Sequence, residues 1–243
     1  MVRSLIHRSL VTTAVTAALT VAAALSGPVA QSEPGIGGAA VYPGMEIRQV
    51  NTICTVGYVD PVTRVAFSAG HCEGSGPVTD NTGRAVGSLA VARDNTPDGA
   101  IVTTEQTITD YEAIVLAPGV EANNVLPGGR QLVVQSGRLP VAGEPICHFG
   151  VVTGESCGTV DRVFNGWFTM TNGVVSQKGD SGGPVYVLDG DRAILVGLFN
   201  CTWGAFPAAV SWEDTGRQLR AEASLASTAA AAVSNAAAAV PHP

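Results

Sequence analysis

Between about residue 50 and residue 212 the chain repeats one pattern: short runs rich in Val, Ile, Thr and aromatic residues, each broken by Gly, Asn, Asp or Pro. Residues 53–59, 65–68, 85–92, 100–104, 131–135, 159–164, 167–171, 185–188 and 193–199 all read this way. Such runs between turn formers are strands, and few of them carry the spacing of an amphipathic helix. A chain that turns so often favours closed antiparallel barrels over βαβ units. Composition agrees, since 29 glycines supply turns and a charged fraction of only 14% suits largely buried sheets. The span of roughly 190 residues is enough for two small barrels. Their junction is expected in the Pro/Gly-rich stretch from Ala117-Pro118-Gly119 to Leu126-Pro127-Gly128-Gly129.

Within this frame Gly179-Asp180-Ser181-Gly182-Gly183-Pro184 solves one chemical problem. A serine hydroxyl is a poor nucleophile until a base takes its proton and a receptor takes the charge that develops on the substrate oxygen. Gly179 and Gly182 let the backbone turn tightly beside Ser181, so the N–H groups of Gly179 and Ser181 can converge as an oxyanion hole. A base is available in Ser68-Ala69-Gly70-His71-Cys72. Of the four histidines, His7 lies in the leader and His242 is penultimate, so His71 and His148 are the two that can sit in a folded core. The hexapeptide also matches the G-x-S-x-G elbow of α/β-hydrolases. That fold needs a histidine after the serine and a helix directly after the elbow. Here the later histidine is His242, and Pro184 to Gly190 reads as a strand running into a hairpin turn, so the elbow is rejected.

Taken together, these segments resemble the chymotrypsin-like (trypsin-fold) serine proteases of the bacterial α-lytic protease and streptogrisin type, over roughly residues 40–220. The resemblance implies an all-β fold of two antiparallel six-stranded β-barrels packed face to face, with a short C-terminal helix from Glu213 to about Ala223. Barrel one would span about 41–116 and barrel two about 130–212, with the active site in the cleft between them. It implies Ser181 as nucleophile and His71 as base. A buried carboxylate should fix the tautomer of His71; Asp98, in Pro97-Asp98-Gly99-Ala100-Ile101-Val102, is the expected acid and Asp94 the second candidate. His71…Asp98…Ser181 is the family's chain order.

The resemblance extends to supporting residues. It pairs Cys54 with Cys72 and Cys147 with Cys157, and leaves Cys201 over from the five cysteines. It places Val175, six residues before the nucleophile, at the base of the primary specificity pocket, and Asn200 on the strand that lines that pocket and supports the acid. With no carboxylate at the base, apolar side chains before the cleaved bond are expected. Asp180 should turn inward and need a partner. Gly35 precedes Ile36-Gly37-Gly38, so no cut after a basic residue supplies one, and His148 is the expected partner, with backbone amides, Arg138 or Arg130 as alternatives.

Residues 1–30 carry Arg3 and Arg8, an apolar run from Leu10 to Leu25, and Pro28, which reads as a signal peptide cleaved between Ser26 and Gln31. An uncleaved anchor is the alternative. Residues 31–40 form a short segment, 41–220 the protease domain and 221–243 an Ala-rich tail. Removing the leader changes the charge from 13 − 20 = −7 to 11 − 20 = −9. Such an acidic chain argues against nucleic acid or anionic lipid as a partner. The expected protein is a secreted, monomeric serine endopeptidase acting on polypeptides, with no metal or organic cofactor. A non-catalytic binding protein on a protease fold and an esterase with the same triad are the rival readings.

Overall fold

The computed structural model describes residues 38–96 and 101–224. The expected leader, and the tail beyond residue 224, lie outside the described residues. The first half runs β1 (Ala40–Val41), β2 (Glu46–Gln49), β3 (Thr52–Thr55), β4 (Tyr58–Asp60), β5 (Val65–Ser68), a 3-10 turn at Gly70–Cys72, β6 (Pro77–Thr79), β7 (Ala85–Asp94) and β8 (Asp110–Leu116). After β9 (Glu121–Ala122) come β10 (Gln131–Val133), β11 (Pro145–Gly150), β12 (Gly154–Val163), β13 (Trp167–Thr171), β14 (Pro184–Asp189), β15 (Arg192–Trp203) and β16 (Phe206–Ser211). Helix α1 follows, described over 212–224.

The second sheet is a closed barrel. Its order is β15-β14-β11-β12-β13-β16, and β16 pairs back onto β15, while β10 adds to β15 in parallel. The first sheet, in the order β3-β2-β6-β7-β8-β5-β4, remains an open half-barrel. The expected all-β fold of two barrel-like sheets with a short C-terminal helix is thus present, the first of them as a half-barrel. At its end strand β3, the Thr55 N–H donates to the carbonyl of Ser181 at 2.8 Å, so an edge donor is spent on the second half of the molecule. Residues 101–104, expected as a strand, form none, and 110–116, which carried no strand expectation, form β8.

Alternation along the strands builds each core. Ile47, Val56, Val59, Val78, Val86 and Ile114 fill the first half, and Ile146, Val160, Phe168, Met170, Val185 and Val196 fill the second. A further cluster joins the halves: Ile108 and Tyr111 of the first pack with Trp167, Leu198 and Val210 of the second. Trp212, at the start of α1, meets Tyr58 and Phe67 edge-on at 5.2 and 5.1 Å. Burying a large apolar side chain contributes about 1.5–3 kcal/mol, so this shared cluster favours one fixed placement of the sheets. Cys54–Cys72 and Cys147–Cys157 are both disulfides. The first ties the end of β3 to the turn that carries His71.

Candidate active site

His71 sits on the 3-10 turn, where its main-chain N–H donates to Asp110 Oδ1 at 2.9 Å and its Nδ1 lies 3.0 Å from Asp110 Oδ2. A carboxylate can only accept, so Nδ1 carries the proton and Nε2 is left as an acceptor. Asp110, the first residue of β8, is fully buried. The side-chain amide of Asn200 donates to its Oδ2 at 2.5 Å. Burial opposes charge on His71, yet the hydrogen bond and charge of Asp110, helped by Asp94 and Glu112, outweigh it and raise its pKa above the ordinary value.

The acid expected from sequence is therefore replaced. Asp98 lies outside the described residues, and the carboxylate that the fold brings to His71 is Asp110. Asp94 stands opposite Asp110 in the β7–β8 register, but its Oδ1 accepts from the N–H and hydroxyl of Thr96 at 2.7 and 2.8 Å. The signal that could have found Asp110 is its own strand, an acid followed by Tyr111 and then Ala113-Ile114-Val115-Leu116.

The turn around Ser181 is fixed by the backbone. Asp180 N–H donates to Gln177 O, Gly183 N–H to Asp180 O and Gly182 N–H to Phe199 O, at 3.0, 3.0 and 2.7 Å. Gly179 and Gly182 have φ of +108° and +83°, in the region that favours glycine. At Gly182 a Cβ would also stand 2.0 Å from Ser68 Oγ and 2.6 Å from Thr55 O. Unlike those of Asp180, Gly182 and Gly183, the N–H groups of Gly179 and Ser181 have no hydrogen-bond partner among the described residues. The Ser181 hydroxyl donates weakly to the Asn200 carbonyl at 3.4 Å. His71, Gly179 and Ser181 line one cleft of about 1100 Å³, whose walls also include Ile53, Cys54, Asn200 and Cys201.

Asp180 does turn inward and is fully buried. Its partners are not His148. Oδ1 accepts from the N–H groups of Val152 and Thr153 at 2.9 and 3.2 Å, and Oδ2 from Gln177 N–H and the Thr153 hydroxyl at 2.7 and 2.8 Å. These four donors satisfy the carboxylate without a cation, while Arg130 pairs with Glu155 and Arg138 with Glu144. His148 is fully buried, with its ring 4.5 Å from that of Phe199. Neither of its ring nitrogens makes a well-formed hydrogen bond, and the Pro184 backbone offers only a weak polar contact. Burial pushes its pKa down to about 4, against the opposing charge of Asp180.

The pocket expectation also changes. Val175 is half-exposed, its N–H takes Ser156 Oγ at 3.1 Å, and it does not line the cleft. Asn200 lines the cleft, but its side chain is committed to Asp110. On this wall the cleft is bounded instead by Ser176, Gln177 and Lys178 on one side and by Asn200, Cys201 and Thr202 on the other. Cys201 is partly exposed and belongs to neither disulfide. A buried acid that sequence reasoning passed over, Glu112, lies two residues beyond Asp110, both its oxygens within 2.8 Å of Gln49 Nε2. Burial raises its pKa to about 8, with Asp110 adding to the effect and Gln49 opposing it. The metal-like cluster among the described residues, Cys54, His71 and Cys72, is disarmed because both sulfurs are spent in one disulfide.

No family model matches the chain. Among solved structures it is similar to a glutamic acid specific serine protease, with TM-score 0.54 and 21% identity over 75% of this chain and 98% of the other. It is also similar to an inactive mutant form of Rv3671c from Mycobacterium tuberculosis, with TM-score 0.51 and 12% identity over 72% of this chain and 84% of the other. The fold is that of the chymotrypsin-like serine proteases. In sequence the chain is 54% identical over 202 residues to uncharacterized protein Rv1815 of Mycobacterium tuberculosis strain H37Rv, covering 83% of this chain and 90% of the relative. Uncharacterized protein MT1863, from strain CDC 1551 of the same species, matches at the same identity and coverage. The chain belongs to the family of these two mycobacterial proteins.

Proposed function

We propose that the protein is a serine endopeptidase that cleaves polypeptides through an acyl-enzyme. The observation that carries this reading is the oriented His71, held through N–H and Nδ1 by the buried Asp110, in one cleft with Ser181 and the unclaimed N–H groups of Gly179 and Ser181. His71 Nε2 takes the hydroxyl proton of Ser181 as its oxygen attacks the peptide carbonyl. The oxyanion accepts from Gly179 and Ser181 N–H, donors that need no reorganisation when the charge appears. His71⁺, stabilised by Asp110, then gives its proton to the leaving amine, and water activated by the same imidazole releases the acyl group. Asp110 takes the acid role expected of Asp98, and Asn200 steadies it.

Secretion is part of the proposal. Two disulfides among the described residues suit an oxidising compartment, as does the signal-like leader. Reaction of the full chain with a fluorophosphonate tests the mechanism: one label per molecule is expected, with none in Ser181→Ala. Peptide turnover separates a peptidase from an esterase. A wild-type chain that neither labels nor hydrolyses peptides is a binding protein instead, and the proposal fails.

A further inference from the structure

On the nucleophile side of the cleft two hydroxyls span the gap between its walls. Ser176 Oγ, on the loop before Ser181, and Thr202 Oγ1, near the end of β15, stand 3.1 Å apart and both face the cleft. Chemistry fixes which part of a substrate meets them. His71 must reach the leaving amine, so the chain after the cleaved bond lies toward His71, Cys54 and Ile53. The residue whose carbonyl is attacked then lies on the other side, where its side chain meets Ser176, Lys178 and Thr202.

The hydroxyl pair makes that slot shallow and polar, because it bridges the walls where a deep apolar pocket would need them apart. Charge then chooses among polar side chains. Besides the Cys201 thiol, the titratable groups lining the cleft are His71, Glu73, Arg93, Asp94 and Lys178. Arg93 is paired with Glu222 at 2.8 Å, Asp94 is folded onto Thr96, and Glu73 follows Cys72 on the opposite wall. Lys178 makes no ion pair among the described residues, and no acid shares its wall. A carboxylate entering here accepts from both hydroxyls and meets an unopposed ammonium. An aliphatic side chain offers the hydroxyls nothing, and a cationic one faces Lys178.

We infer that this slot selects substrates with an acidic residue immediately before the cleaved bond, with Ser176 and Thr202 as donors to its carboxylate and Lys178 as the charge that discriminates. The inference rests on the proposed peptidase reading. The test uses the full chain and peptides that differ only in that residue: Glu, Asp, Gln, Leu or Lys. Gln is the neutral isostere of Glu, so kcat/KM for Glu should exceed that for Gln by about tenfold or more, the size of one charge-assisted hydrogen bond. Lys178→Glu should invert the Glu-to-Lys ratio and remove the preference for Glu over Gln, and Ser176→Ala with Thr202→Ala should lower kcat/KM for Glu and Gln alike relative to Leu. Ratios are read, so a general loss of activity does not blur the result. Preference for Leu or Lys, or a Glu-to-Gln ratio that Lys178→Glu leaves unmoved, overturns the inference while the peptidase reading stands. If no peptide is cut, that reading fails by itself. Binding of product peptides ending in Glu or Gln to Ser181→Ala still decides the slot, with tighter binding of the Glu peptide expected and equal binding refuting it.

Discussion

Asn200 and Asp110 join the two sheets at the candidate active site: the amide on β15 donates to a carboxylate on β8 at 2.5 Å, and both side chains are buried. Asp110 Oδ2 thus receives His71 Nδ1 and Asn200 Nδ2 together, while Oδ1 takes His71 N–H. Asn200→Ala should lower kcat by about ten- to a hundredfold, since hydrogen bonds to charged groups contribute roughly 1.5–3 kcal/mol. KM should change little, and Asn200→Ser should recover part of the loss. Steady-state kinetics on a peptide substrate reads this directly.

Asp110→Asn removes the acceptor that sets the tautomer of His71, so kcat should fall by about 10³–10⁴, as expected when the orienting acid of such a triad is lost. Asp98→Asn and Asp94→Asn should each stay within a few-fold of the parent. A severe loss in Asp98→Asn with a mild one in Asp110→Asn would reverse the assignment.

The acid limb of the pH–rate profile reports His71. In the proposed mechanism activity is present where the imidazole is neutral and is lost as pH falls through its pKa. Because Asp110 and its neighbours raise that pKa, the half-point should lie above the ordinary value of about 6.5. In Asp110→Asn the residual activity should show a half-point at lower pH.

Folding stability should carry two opposed pH slopes. His148 has a folded pKa of about 4 against 6.5 when exposed, so between these values the unfolded chain binds a proton that the folded one does not. Stability therefore falls as pH drops through that window, by about 3 kcal/mol in all. Glu112 has a folded pKa of about 8 against 4.5. Its contribution is full below 4.5 and is lost as pH rises to 8, because the folded chain keeps a proton the unfolded chain has released. The slopes oppose each other between 4.5 and 6.5, where melting temperature should be flat. His148→Leu should remove the acid-side fall, and Glu112→Gln the alkaline one.

Gly182→Ala places a Cβ 2.0 Å from Ser68 Oγ and 2.6 Å from Thr55 O at a φ of +83°. Backbone strain and a clash with main-chain atoms that cannot swing away act together here. A fall of several kcal/mol in stability, with loss of fluorophosphonate labelling, is expected. A variant that melts and labels like the parent would show that the turn can open.

Much of this was legible in the chain because it is local. Strand runs, turn residues and the segments around His71 and Ser181 are each written within a few residues. The acid was not legible, since Asp98 and Asp110 both precede apolar residues. The choice between them is made by long-range pairing that sets Ser68 of β5 opposite Glu112 of β8 and so brings the head of β8 to His71. The same limit explains Asp180. A need for a partner could be read, but the four donors come from positions 152, 153 and 177, gathered by the β11–β12 turn and the loop before Ser181. Val175 failed for a related reason, because counting six residues back cannot tell which way a loop side chain faces.

Thr55 grips the turn around Ser181 twice, its N–H on the Ser181 carbonyl and its hydroxyl on the Gly179 carbonyl, both at 2.8 Å, while Phe199 holds Gly182 from the far side. The turn thus takes its shape from residues near both ends of the described protein, and contacts so distant in sequence form late. A ribosome-bound chain that has not yet released β15 has Ser181 but not the scaffold that makes it reactive. Released chains truncated before residue 199 should ignore a fluorophosphonate, and released chains that run past residue 211 should react. The order of synthesis would then keep the growing polypeptide safe from its own chemistry, with no separate inhibitory segment needed during that interval.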